Sequence, residues 1–248
     1  MLIASYKDRM LLCVSKKNKI LVFLKQETYS NVKTLMRVIN CKNKSTISRV
    51  LNSLESDKLI IRHNNNQYGN KQQLLWGITQ CGLAIAYNIE DEPLLLPTFQ
   101  PSKLRLPTLE HHLLIQNVRL ILQEKGSTNW IHGDRSTFYS KYSDVKHRPD
   151  GVITLPNNIN IALEVELNVK TKSRYKSIMT SHLLAITKKH WNCVYYVLPS
   201  EDKKKLIMKI FDSITMLTVN NNPVILEQKH KNVFMFFTFD EIQNKQFI

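Results

Sequence analysis

The chain has 248 residues, 43% of them hydrophobic, and carries 35 Lys and Arg against 20 Asp and Glu, a formal charge of +15. That apolar share excludes a disordered tail, and the charge points to a polyanionic partner. No apolar run approaches the roughly 20 residues that cross a bilayer, so no membrane insertion is expected.

MLIASYKDRM is too short and too broken by charge for a signal peptide. Cys13, Cys41, Cys81 and Cys193 are scattered without a CxxC pair, which argues against a zinc ribbon or a disulfide framework. A cytoplasmic protein with reduced thiols is the expectation.

Residues 1–90 hold 14 Lys and Arg against 5 Asp and Glu, and the remainder 21 against 15, so the first part is the denser basic unit. Helices are expected at about 18–27, 31–39 and 45–57. In the third, Ser45 can cap the start, and Ile47, Val50, Leu51 and Leu54 recur at helical spacing. The opposite face presents Lys44, Thr46, Ser48, Arg49 and Asn52, groups able to approach phosphates and base edges. LIIRH (59–63) and QLLWGIT (73–79) read as strands about a polar tip, followed by a helix opening at Thr79. Helix, helix, helix, strand, wing, strand, helix is the order of a winged helix-turn-helix. A DNA-binding domain over 1–90 is therefore expected, and a protein-binding one is its rival.

Residues 91–108 read as a linker, since EDEPLLLPTFQPSKLRLPT holds four prolines and no sustained period. Over 109–248 the alternation of helices and strands suggests an α/β and α+β arrangement about a central mixed sheet. A helix is expected from Leu109 to about Lys125, and strands at 130–134, 150–155, 160–167 and 193–198. Further helices are expected at 170–187 and 201–217, and late strands in PVIL and NVFMFFTF.

Asp150 opens one strand, and Glu164-x-Glu166 closes the next inside the apolar run INIALEVEL. Residues two apart on a strand share a face, and neighbouring strands lie about 4.8 Å apart, so the three carboxylates can converge. Buried carboxylates repel one another unless a cation sits between them. A hard divalent ion, Mg²⁺ or Mn²⁺, is the expected partner; such ions polarise phosphodiesters and activate water.

Asp150 followed by Glu164-x-Glu166 resembles the PD-(D/E)xK superfamily of restriction-endonuclease-like domains, with Glu166 standing where that pattern usually has lysine. Lys170 or Lys172, just beyond the strand, is placed to supply the missing charge. From about Lys44 to Tyr175 the chain also resembles replication-relaxation proteins and MobC-type plasmid mobilisation relaxases. The resemblance runs through STISRVLNSLESDKLI, LLWGITQCG, LEHHLLIQNVRL, Trp130, HRPDGVITL and IALEVELNVKTKSRY.

It implies a winged helix joined to a nuclease-like domain that nicks plasmid DNA at a transfer origin. Asp150, Glu164 and Glu166 would be its metal ligands, Glu110 a further contributor and Lys170 an accessory catalytic group. An accessory mobilisation protein or a coupling protein would be its protein partner. The rival expectations are a non-catalytic plasmid replication or transcription regulator and a restriction-type endonuclease.

None of the eight histidines forms the HxH pair of the commoner relaxases, so metal-activated water is the expected nucleophile and Tyr139, Tyr142 and Tyr175 are packing residues first. Lys172 and Arg174, beyond the second acidic strand, are candidates for holding the DNA backbone. His147 and Arg148 precede the acidic strand and are candidates for contacting the scissile phosphate.

Overall fold

The computed structural model describes residues 5–65, 73–87 and 96–246, so the tip of the expected wing and the first residues of the expected linker, 91–95, fall outside the described residues. The chain divides into two compact units, Met1–Gln116 and Asn117–Ile248.

In the first unit, α1 (Tyr6–Glu27) is capped by Ser5, whose hydroxyl accepts the Asp8 N–H at 3.2 Å. Only its C-terminal turns reach the core, through Ile20, Leu21, Phe23 and Leu24. Its first half, with Met10, Leu11 and Val14 exposed, has no buried stripe, which is why periodicity alone places the start near residue 18. The short strand β1 (Tyr29–Asn31) leads into α2 (Val32–Val38), where Asn31 Oδ1 accepts the Thr34 N–H at 2.9 Å.

α3 (Lys44–Ser56) buries Ile47, Val50, Leu51 and Leu54. The expectation that Ser45 caps it is corrected: Asn43 is the cap, its Oδ1 accepting the Ser45 N–H at 2.8 Å. β2 (Ile60–Asn65) and β3 (Gln73–Ile78) pair antiparallel, and β1 adds to β3, giving the sheet order β1-β3-β2. α4 (Gln80–Ala86) follows, capped by Thr79. Phe99, from the proline-rich segment, packs with Leu75, Leu109 and Leu113. Its ring occupies the space over Gly77, where a Cβ would lie 2.0 Å away.

α5 (Leu106–Glu124) starts three residues earlier than expected, because Pro107 lies in the first turn, where its missing N–H costs nothing. In the second unit β4 (Thr128–His132), β5 (Gly151–Thr154) and β6 (Asn160–Val165) form an antiparallel meander, with α6 (Ser136–Lys141) between the first two. α7 (Lys172–Thr187) then returns the chain to β7 (Cys193–Leu198), parallel to β6.

α8 (Glu201–Asp212) ends before residue 217. The expected last turn is a strand instead: β8 (Met216–Val219) forms a hairpin with β9 (Asn222–Ile225). Asn220 and Asn221, at φ 51° and 64°, supply the left-handed turn that such a hairpin favours. α9 (Gln228–Lys231), β10 (Phe234–Thr238) and α10 (Phe239–Asn244) complete the unit.

The resulting five-stranded sheet is mixed, in the order β10-β7-β6-β5-β4. One core cluster in this unit holds Phe138, Tyr175, Trp191, Tyr196, Phe211 and Phe234. Among the described residues no helix is long and apolar enough to cross a membrane.

Candidate metal centre and basic groove

Strand pairing places the acidic residues of the second unit. Gly151 lies opposite Leu163, and the Asp150 N–H donates to the Leu163 carbonyl at 2.9 Å. The Asp150 side chain then extends the ladder, its Oδ2 accepting the Val165 N–H at 2.6 Å. Two close approaches fix this corner. A Cβ on Gly133 would lie 1.8 Å from the Pro149 carbonyl oxygen, and one on Gly151 would lie 2.1 Å from the Trp130 ring.

On the other edge of β6, Glu164 lies opposite Tyr196, and the Glu166 N–H donates to the Val197 carbonyl at 3.0 Å. Both glutamates are buried, each 6% exposed, as expected from their place in an apolar strand.

The two carboxylates have different partners. Glu164 Oε1 accepts hydrogen bonds from Nε2 of His147 and Nε2 of His182, each at 2.9 Å. Burial pushes the Glu164 carboxyl up, but the two imidazoles together outweigh it and hold it down at about 2. His182 is completely buried between Trp191 and Phe234, with ring centroids 5.6 and 6.2 Å away. Desolvation lowers its pKa against the pull of Glu164, so near neutral pH an uncharged imidazole donates to an ionised carboxylate.

Glu166 instead pairs with the Lys170 ammonium. Its pKa is nevertheless raised, chiefly by desolvation and also by the charge of Glu164, against the pull of Lys170. Tyr175, buried beside them, donates its hydroxyl to Glu166 and accepts the Lys170 N–H at 3.2 Å. Burial pushes its pKa up to about 12, which opposes a role as nucleophile.

The expected carboxylate trio is therefore only partly assembled. Among the described residues of this unit, the side chains with ligand atoms all within 4.8 Å of one another are His147, Glu164 and His182, and Asp150 and Glu166 are outside that group. Asp150 is tied to backbone and Glu166 to lysine. Glu110 is exposed in the first unit and belongs to no such group among the described residues. Lys170 does come to the acidic strand, as an ion-pair partner of Glu166.

A groove of about 440 Å³ runs beside His147, lined also by Lys146, Arg174, Lys176, Ser177 and Ser181, with no carboxylate in its lining. Of the expected DNA contacts in this unit, Arg174 lines it. Arg148 is turned to Asp134 at 2.9 Å and over the Tyr139 ring at 4.9 Å, and the Lys172 ammonium donates to the Ser213 carbonyl at 2.9 Å. In the first unit Lys44, Ser48, Arg49 and Asn52 are exposed on α3 and Thr46 is half-buried. Arg49 donates through Nε to the Ser45 carbonyl at 3.3 Å.

Sequence reasoning missed His182 and Lys146. The available signal for His182 was its spacing with Tyr175, Ile178 and Met179 on the buried face of α7, because a buried imidazole requires a polar partner. No family model, curated protein or solved structure matches this chain.

Proposed function

We propose that the protein is a divalent-metal-dependent DNA nickase of the mobilisation relaxase kind, cutting one strand of plasmid DNA at a transfer origin. In this proposal the first unit is a winged helix that binds duplex through α3. The second is a PD-(D/E)xK-like nuclease domain. The observation that carries it is the β5–β6 pairing, which brings Asp150 to the end of β6 beside two buried glutamates, next to a groove lined with Lys146, Arg174 and Lys176.

The exposed polar face of α3 and the β2–β3 hairpin support the assignment of the first unit. The +15 charge supports a polyanion as substrate. A divalent ion at Glu164 would polarise the scissile phosphodiester and lower the pKa of a water. The chain's own residues do the positioning: the groove cations hold the DNA backbone and His147 orients the Glu164 carboxylate. Asp150 locks the neighbouring strand end, and the Lys170–Glu166 pair keeps a cation beside the acidic strand.

A metal titration with origin-bearing supercoiled plasmid tests this. Open circles that form only with a divalent ion, and that are absent with Glu164→Gln, are the expected result. Linear product would favour a restriction-type enzyme. DNA binding without any cut, across Mg²⁺, Mn²⁺, Zn²⁺ and Co²⁺, would leave a plasmid regulator as the function. Protein attached to the cut ends would replace water by tyrosine as the nucleophile.

A further inference from the structure

Two imidazoles stand where the sequence led one to expect only carboxylates. His147 comes from the loop before β5, Glu164 from β6 and His182 from the middle of α7. Three separate segments thus deliver one nitrogen, one oxygen and one nitrogen to a single point. The two rings stand nearly perpendicular, at 82°, with centroids 5.5 Å apart.

We propose that His147, Glu164 and His182 form a site for a first-row transition ion of the Zn²⁺, Mn²⁺ or Co²⁺ class, in preference to Mg²⁺. The inference concerns metal binding alone and is separable from DNA cleavage.

The donor set carries the choice of ion. Mg²⁺ takes oxygen ligands and keeps its waters, whereas imidazole nitrogens suit the later first-row ions. Burial carries the rigidity. His182 is 0% exposed and wedged against Trp191, so its ring is held before any ion arrives.

An independent observation lies opposite Glu164 in the strand register. The Tyr196 hydroxyl is completely buried and has no hydrogen-bond partner. Unsatisfied buried polar atoms are costly, and a water carried on an ion is a partner that a buried hydroxyl can take. Three protein ligands also leave a coordination position for an outside donor. His147 lines the open groove, which gives ion and anion a way in.

The test uses the full chain stripped with a chelator and titrated with Zn²⁺ and Mg²⁺ by calorimetry and with Co²⁺ by visible absorption. One equivalent of Zn²⁺ and of Co²⁺ is expected to bind, with Mg²⁺ much weaker. His147→Gln and His182→Gln should each weaken Zn²⁺ binding by at least ~10–100-fold, the loss seen on removing even an outer-sphere partner. His190→Gln, a histidine held by Asp144 outside the cluster, should leave affinity unchanged. His182 is a core residue, so circular dichroism must show that its variant folds. If it does not, the half-buried and groove-facing His147 decides.

Full Zn²⁺ affinity in His147→Gln, or Mg²⁺ bound as tightly as Zn²⁺, overturns the site. Plasmid nicking is followed in parallel. Zn²⁺ binding that His147→Gln removes, in a protein that never nicks, supports the site and overturns the cleavage reading. Nicking in Mg²⁺ that survives His147→Gln, with Zn²⁺ affinity surviving as well, overturns the site and leaves cleavage standing.

Discussion

Helices α3 and α7 both bury one side, but they bury different chemistry. The inward side of α3 is wholly aliphatic, with Ile47, Val50, Leu51 and Leu54, and its polar groups face water. The inward side of α7 mixes Ile178, Met179 and Ala185 with Tyr175, Ser181 and His182. An aliphatic face needs only volume opposite it, so α3 is free to use its outer surface for recognition. A face with buried polar atoms needs matched partners, and α7 finds them: Glu164 for His182, and the His147 N–H donating to Ser181 Oγ at 2.9 Å. Function should accordingly sit outside on α3 and inside on α7.

The largest expected effect lies on the α7 side. Glu164→Gln keeps shape but removes the charge that His147 and His182 hold. Plasmid nicking should fall by about a hundredfold or more, the scale of several kcal/mol of lost metal-assisted stabilisation, while duplex affinity in a gel-shift assay stays the same. Loss of both would collapse the distinction between the helices.

On α3 the severe change should be the inward one. Leu51→Ala is expected to cost roughly 2–5 kcal/mol of stability in denaturant unfolding, whereas Ser48→Ala on the outward face should cost almost nothing.

Acid should separate the two helices further. His182 has a lowered folded pKa, so the unfolded chain takes up protons first and stability drops as pH falls below about 6.5. Glu164, held at about 2 against 4.5 unfolded, loses its contribution as pH falls through that interval, an amount on the order of 3 kcal/mol. Thermal melts should show the second unit failing first on acidification. His182→Gln should flatten the step near pH 6.5, and an unchanged step would remove His182 as its source.

The smallest effect should be on the outer face of α3. Removing Lys44 and Arg49 together should weaken duplex binding. The slope of log K against log salt should also fall, by about 0.9 for each phosphate that the variant no longer neutralises. An unchanged slope would place the DNA elsewhere.

Legibility in the sequence followed the same division. α3 could be read because its face repeats within one short window, although Asn43 displaced Ser45 as cap. The acidic strands could be read because a period of two and strand adjacency are local rules. His182 shows in its spacing only that it belongs to the buried face of α7; its partner Glu164 lies on another element, so no local rule announces the pair. Lys146 sits in an irregular loop, and β1 is only three residues long, too short to show a period. β8 was hidden because the apolar residues of 201–217 continue a helical spacing past the true end of α8 at Asp212, although its partner β9 falls on the expected strand PVIL.

Gly151 and Trp130 set one further condition on the site. The indole fills the volume that any side chain at position 151 would need, so Asp150 is held in place partly by an exclusion that no hydrogen-bond diagram would draw. Such a constraint is reciprocal: space added at one position can be repaid at the other. Gly151→Ala alone should loosen the β4–β5 corner, and pairing it with Trp130→Leu should restore part of the lost stability. The acidic corner is thus a fitted lock of one large and one absent side chain, tunable by size without touching a charge.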